Sequence, residues 1–220
     1  MSKYKLFAQL SRYSLEAQID DFEKYILGAG GQNRVDLAEL KKAYEDEKKN
    51  APDDYINYLE DYYSEQYDFL VNIQPNIFNK SALVSLYSCL EHNLNDYCNI
   101  CQRIVNTNIS VTDFNGDGIH KAKRYLTKLM DINFGLSQEW QFMTEFNKVR
   151  NCIVHANGDI KKMSTAVALK NIIDKTPTLS LNNENNIIIS LNYLKDTITK
   201  IRKLFQWLYT HLDQSSKLIR

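Results

Sequence analysis

Between Ser81 and Val105 the apolar residues Leu83, Leu86, Tyr87, Leu90, Leu94, Tyr97, Cys98, Cys101 and Ile104 return every three or four positions. That is the period of an amphipathic α-helix. The same spacing recurs in Phe142, Phe146, Val149, Ile153 and Val154, and again in Leu194, Ile198, Ile201, Leu204, Phe205 and Leu208. Helices with one apolar face must bury that face on each other. With 7 Gly and 3 Pro in 220 residues, little interrupts them.

The rest of the chain fits around these stripes. Leu6, Leu10, Tyr13, Ala17, Ile19, Phe22 and Ile26 predict a helix over residues 3–27, broken by Gly28-Ala29-Gly30-Gly31. A second helix is expected from about Asn33, with Asp36 in its first turn, to about Lys49. Asn50-Ala51-Pro52-Asp53 reads as a turn. A Tyr-rich helix (Tyr55, Tyr58, Tyr62, Tyr63, Tyr67) follows from Asp54 to about Ile73. Its rings could stack on bases, or pack a helix interface with hydroxyls at the rim; the acidic surroundings favour the interface. Gln74 to Lys80, with Pro75 and two asparagines, reads as a linker.

Asn106 to Gly118 reads as a loop, and Ile119 to Met130 as a basic helix. Ser137 is placed to cap the helix of Phe142, with Glu139 in its first turn, and Gly158 to stop it. A short helix is expected over Lys161 to Asp174. Thr178 to Leu181 and Ile187 to Ser190 flank a polar turn and predict a β-hairpin. Ser190 then caps a closing helix from Leu191 to about Leu212. The expected fold is mainly α: a helical extension over residues 1–75, with no role assigned, and an antiparallel helical bundle with one small β-hairpin over 76–220.

Formal net charge is zero, which gives no global signature of a nucleic-acid binder. The charge is uneven, however. Asp36 to Asp68 holds 11 acidic residues against 4 lysines, so the remainder carries a matching positive excess. That excess includes Lys121, Lys123 and Arg124, Lys161-Lys162, and Lys195 to Lys203. A polyanion would be steered there, away from the acidic segment. No apolar run is long enough for a signal peptide or a membrane span, so a cytoplasmic protein with reduced thiols is expected.

Two motifs imitate metal or redox sites. Asp113-Phe114-Asn115-Gly116-Asp117-Gly118 opens like a calcium loop, but the twelfth position, which needs a bidentate Glu, is Arg124. A polar turn before the next helix is the better account. Cys98 and Cys101 have CxxC spacing, yet both fall on the apolar stripe and no second ligand pair follows, so they read as core cysteines. No Walker loop, Rossmann fingerprint or nucleophile elbow is present. No metal and no cofactor is expected.

The remaining cluster is Arg150-Asn151-Cys152-Ile153-Val154-His155. On a helix Asn151 and His155 are i and i+4 and share a face. Arg150 lies about 140° round the axis from His155 but has a long side chain. Taken singly, His155 could be only a dipole partner at a helix end, and Arg150 a solvated charge.

As a pattern, Arg-Asn-x-x-x-His near a helix end resembles the motif of the HEPN family. Ser81 to Ile104 resembles the preceding family helix, with Glu91 placed as the family's Glu is. A hairpin followed by a terminal amphipathic helix is similar to several HEPN groups. The resemblance covers residues 78 to about 215. It implies an all-α bundle that dimerises through the motif helix, and in many members a metal-independent ribonuclease. It further implies catalytic roles for Arg150, Asn151, His155 and Glu91, with Lys121, Lys123 and Arg124 near the RNA. A toxin or antiviral defence system, with an antitoxin or other partner protein, is the family's frequent setting.

The chemistry fits these residue types. A base can take the proton of an RNA 2′-hydroxyl, which then attacks the adjacent phosphate, and an acid must protonate the leaving 5′-oxygen. Histidine titrates near neutral pH. Two copies of His155 in a dimer could divide the two roles. Arg150 would grip the phosphate, with Asn151 orienting it or His155 and Glu91 expected to hold Arg150 as an ion pair. A non-catalytic module that binds nucleotide, RNA or a partner protein is the alternative, and a purely structural helical protein the third.

Overall fold

A single helix, α1, runs unbroken from Lys3 to Lys48 in the computed structural model, which describes residues 3–214. The expected break at Gly28-Ala29-Gly30-Gly31 does not occur. Glycine weakens a helix but does not end one when packing compensates. At Gly30 packing is the reason for the glycine: a β-carbon there would lie 2.6 Å from Leu191 Cδ2. The bare backbone lets α1 come close to the start of the last helix.

Asn50 to Pro52 make the expected turn, and a 3-10 turn over Asp53–Tyr55 leads into α2 (Ile56–Asp68). The linker read at Gln74 to Lys80 is instead the first turns of α3 (Gln74–Val105), joined to α2 by a π turn over Phe69–Ile73. Pro75 explains both the misreading and the π turn. It has no N–H to donate, and its ring would press on the carbonyl four residues back. The widened turn absorbs this: the Gln74 N–H donates to Phe69 O, five residues back. The Leu70 carbonyl is met instead by Asn33 Nδ2 of α1 at 2.8 Å.

A loop with a 3-10 turn (Val111–Asp113) leads to α4 (Gly118–Met130), and α5 (Gln138–Ala156) follows. Then come α6 (Ala166–Lys175), β1 (Leu179–Leu181), β2 (Ile187–Ile189) and α7 (Leu191–Gln214). The hairpin is antiparallel, pairing Leu179 with Ile189 and Leu181 with Ile187. Ser190 caps α7 as expected, its Oγ accepting from Tyr193 N at 3.2 Å. The fold is therefore mainly α with one small β-hairpin. Residues 1–2 and 215–220, covered by the sequence expectations, lie outside the described residues.

Helices α1, α3, α5 and α7 share one core. Leu15, Ile19 and Ile26 of α1 belong to the same buried cluster as Leu83, Leu90 and Leu94 of α3, Phe146 and Val149 of α5, and Leu194, Ile201 and Leu204 of α7. Polar ties reinforce it. Arg202 of α7 donates to Glu16 (3.0 Å) and Asp20 (2.7 Å) of α1. Tyr209 on α7 bonds Ser11 of α1 at 2.9 Å. The buried Tyr97 hydroxyl of α3 donates to Leu208 O at 2.6 Å.

Helix α2 packs on the C-terminal half of α1 and keeps Leu59 and Tyr63 buried outside that core. Tyr63 meets Tyr44 there, with ring centroids 5.3 Å apart. The other tyrosines read as a helix interface, Tyr55, Tyr58, Tyr62 and Tyr67, are exposed, because α1 covers only one side of α2. No helix among the described residues is long and apolar enough to cross a membrane.

Candidate functional site: a cleft between α3, α4 and α5

Helix α5 is fixed at both ends. Ser137 Oγ accepts from Trp140 N at 3.1 Å, the expected N-cap. At the other end Asn157 (φ +50°) and Gly158 (φ +93°) turn left-handed, and Gly158 N–H donates to Cys152 O at 3.0 Å. Lys80 of α3 donates to Asn157 O at 2.9 Å, a cation at the negative end of the helix. Phe146, Val149, Cys152 and Ile153 are buried as the stripe predicts; Val154, included in that stripe, is 46% exposed. It lies one position beyond Ile153, about 100° further round the helix.

This anchoring places Arg150 half-buried over the ring of Tyr87 on α3, its guanidinium carbon 4.7 Å from the ring centroid. Arg150 Nη1 donates to Asn151 Oδ1 at 2.9 Å, and Arg150 Nε is buried without an acceptor. The two residues open into a cleft of about 440 Å³, also lined by Glu91, Gly116 to Gly118, His120, Arg124 and Asn147. The cleft is thus made by one face of each of three helices.

Gly118 sets its shape. It begins α4 at φ +55°, and a β-carbon there would lie 3.1 Å from the Tyr87 hydroxyl. Asp117 makes no side-chain cap, so the first N–H groups of α4 are not capped by it. Arg124 reaches back over the preceding loop and donates to Asn115 O at 2.8 Å. That loop is the one resembling a calcium loop; it is closed by an arginine, with Asp113 bonded to Ser110 N at 2.7 Å. Among the described residues, no group of three or more His, Cys, Asp or Glu is placed to hold a metal ion.

His120 sits in the cleft, Nε2 3.3 Å from Asn147 Nδ2. Burial lowers its pKa below the ordinary value, and Lys123, Arg124 and Lys148 lower it further. At neutral pH it is an uncharged imidazole. Tyr87 is pushed the other way, to about 12, by burial and by Glu91, with Arg150 opposing. Its hydroxyl stays protonated.

No family model, no curated protein and no solved structure matches the chain.

Of the residues singled out in the sequence, Arg150, Asn151, Glu91 and Arg124 line one cleft. The ion pair expected between Glu91 and Arg150 is not made; the guanidinium lies on Tyr87 instead. His155 is exposed in the last turn of α5 and does not line the cleft. Lys121 and Lys123 do not line it either, and Lys123 Nζ lies over the Trp140 ring at 5.7 Å. Helix geometry gives the reason: His120 and Arg124 are four apart and share the cleft face, while Lys121 and Lys123 point off it.

Sequence reading did not single out Tyr87, His120 or Asn147 as site residues. The available signals were the four-residue spacings His120 to Arg124 and Asn147 to Asn151. The four cysteines form no disulfide with one another. Cys98 and Cys101 are buried in α3, as their place on the stripe predicts, and burial raises the Cys98 pKa. Cys152 is pushed up to about 11 by the same cause. Chemically, the cleft offers two guanidiniums, helix-end amides, a neutral imidazole and a carboxylate, a set suited to holding an anion beside a proton acceptor.

Proposed function

We propose that the protein is a metal-independent endoribonuclease that acts as a homodimer. The observation that carries this reading is Arg150: a half-buried guanidinium on Tyr87, one N–H without an acceptor, facing a cleft with Arg124 and His120. A guanidinium so placed is suited to receiving the oxygens of an anion. Together with Asn151 and His155 on the same helix, it matches what the HEPN resemblance implies.

In the proposed reaction Arg150 donates to the non-bridging oxygens of the scissile phosphate, with Asn151 beside it. One copy of His155 takes the proton of the 2′-hydroxyl. The 2′-oxygen bonds to phosphorus, the bond from phosphorus to the 5′-oxygen breaks, and the second copy of His155 protonates that oxygen. Arg150 stabilises the charge that grows on the phosphate oxygens. The products carry 2′,3′-cyclic phosphate and 5′-hydroxyl ends. DNA, with no 2′-hydroxyl, is inert. A toxin or defence setting, with a partner protein that restrains the activity, is the biological context proposed.

The test is incubation with tRNA and mRNA in EDTA, beside His155→Ala and Arg150→Ala. Cleavage lost in both variants, with fold and dimer intact, supports the reading. Cleavage that survives both, or that EDTA abolishes, removes it. A second reading, a module that binds nucleotide or RNA without cutting, is favoured by the position of His155 outside the cleft of a single chain. It predicts an RNA mobility shift that depends on Arg150 and not on His155, with no cleavage by any form.

A further inference from the structure

Two tripeptides of the chain are identical. Asn115-Gly116-Asp117 lies in the loop before α4, and Asn157-Gly158-Asp159 follows the last turn of α5. An asparagine followed by glycine is the pair most open to loss of its side-chain amide. The next backbone nitrogen can attack the side-chain carbonyl, and glycine has no side chain to hinder it. Shared sequence gives the two pairs nearly the same intrinsic chemistry. A difference between them in the native protein comes from the fold.

The fold does separate them. At the end of α5 the nucleophile is taken. Gly158 N–H donates to Cys152 O at 3.0 Å, Gly158 O accepts from Ile187 N at 2.9 Å, and Asn157 O accepts from Lys80 Nζ at 2.9 Å. Gly158 is also buried. Its nitrogen cannot turn on the Asn157 side chain without breaking these bonds.

In the loop before α4 the nucleophile is open. Gly116 N–H has no hydrogen-bond partner among the described residues, nor has the Asn115 side chain, and both residues are exposed. One tie remains, from Arg124 Nη1 to Asn115 O at 2.8 Å. It leaves the nitrogen free and adds a charge: the same Nη1 lies 3.1 Å from where a Gly116 β-carbon would be. A cation there favours loss of the Gly116 amide proton and the negative charge that grows on the attacked carbonyl.

We propose that Asn115 is a site of spontaneous deamidation in the wall of the cleft between α3, α4 and α5, with Asn157 its protected counterpart. Gly116 N gives its proton to solvent and bonds to Asn115 Cγ. The bond from Cγ to Nδ2 breaks, and that nitrogen takes a proton from water and leaves as ammonia. Water then opens the ring at either carbonyl, leaving aspartate or isoaspartate. In sum, an amide and water become a carboxylate and ammonia. The new carboxylate is within reach of Arg124, which already holds the Asn115 carbonyl, and competes with other anions for that guanidinium. The consequence for RNA rests on the ribonuclease reading; the chemistry at Asn115 does not.

The test is peptide mapping by mass spectrometry of the full chain, incubated folded at neutral pH and, in parallel, in urea. In urea the two asparagines should convert at similar rates. In the folded chain Asn115 should convert at least about fivefold faster than Asn157, the factor for one hydrogen bond of about 1 kcal/mol that must open first. Equal rates at the two sites in the folded chain overturn the proposal. So does an Asn115 that stays intact when folded yet converts in urea, or a preference for Asn115 that is as large in urea. Affinity for a labelled 2′-O-methyl RNA, which cannot be cut, reads the consequence. Asn115→Asp should bind about five- to tenfold more weakly than Asn115→Gln. Equal affinity of the two variants overturns the link to the cleft. A wild type that binds no RNA removes the ribonuclease reading and leaves the conversion at Asn115 to be decided by the mapping.

Discussion

Replacing Arg150 by Met separates a functional arginine from a structural one. Methionine keeps most of the apolar stem against Tyr87 and removes the guanidinium. The substitution forfeits a cation–π contact at 4.7 Å, worth about 1–2 kcal/mol when partly desolvated. It also forfeits the bond to Asn151 at 2.9 Å, worth about 1 kcal/mol. Against that, it removes a buried N–H with no acceptor, a burden of about 1–3 kcal/mol. The opposing effects nearly cancel, leaving a net change within about 1 kcal/mol in either direction. For a chain of this size that shifts the thermal midpoint by no more than about 4 °C. RNA cleavage should fall far more, by roughly 10²–10³, as when one transition-state donor is deleted. Scanning calorimetry and cleavage of a labelled RNA in EDTA read the two quantities on the same preparation. A midpoint lowered by more than about 10 °C, beyond the range of a surface-cleft change, would mark Arg150 as structural. Unchanged cleavage would refute its role on the phosphate.

His155→Ala should leave the stability within about 0.5 kcal/mol of wild type, since the ring is exposed, while abolishing cleavage; a large loss of stability on calorimetry contradicts this. His120 has a folded pKa below its ordinary value. Protonating it therefore costs more in the folded state, so its contribution to stability is present above about pH 6.5 and is lost as pH falls through the folded value. Denaturant titrations of wild type and His120→Gln over that range should show a shallower pH dependence in the variant. Ile26→Ala, at a fully buried position in α1, should cost about 2–5 kcal/mol and lower one cooperative transition, because α1 shares its core with α3 and α7. A second, separate transition in the melt would contradict the single core.

The elements legible in the sequence were those with long stripes. Helices α3, α5 and α7 announced themselves by spacing, and Ser137 and Ser190 marked the starts of α5 and α7. The two misread stretches, Gly28 to Gly31 and Gln74 to Lys80, share a cause. Glycine and proline state a local cost, and only the neighbours show whether that cost is met. Gly30 is met by Leu191, and Pro75 by the π turn and Asn33. The site divides in the same way. Periodicity shows that Asn147 and Asn151 share a face, and likewise His120 and Arg124. It does not show that those two faces meet across Tyr87. His155 shares a face with Asn151 but lies one turn further along α5; the extent of the cleft is set by α3 and α4, which no spacing within α5 encodes.

The tie between α1 and α7 has a consequence for the order in which the protein is made. Arg202 closes on Glu16, and Tyr209 on Ser11, across separations of 186 and 198 residues. At ribosomal rates of about 5–20 residues per second, the partner of α1 appears roughly 10–40 s after it does. Through that interval Leu15, Ile19 and Ile26 have only α3 and the later helices, as they emerge, to cover them. The contact that completes the bundle therefore forms only once α7 has been made. It is a non-local contact, and its closure sets a slow, late step on a chain whose individual helices form fast.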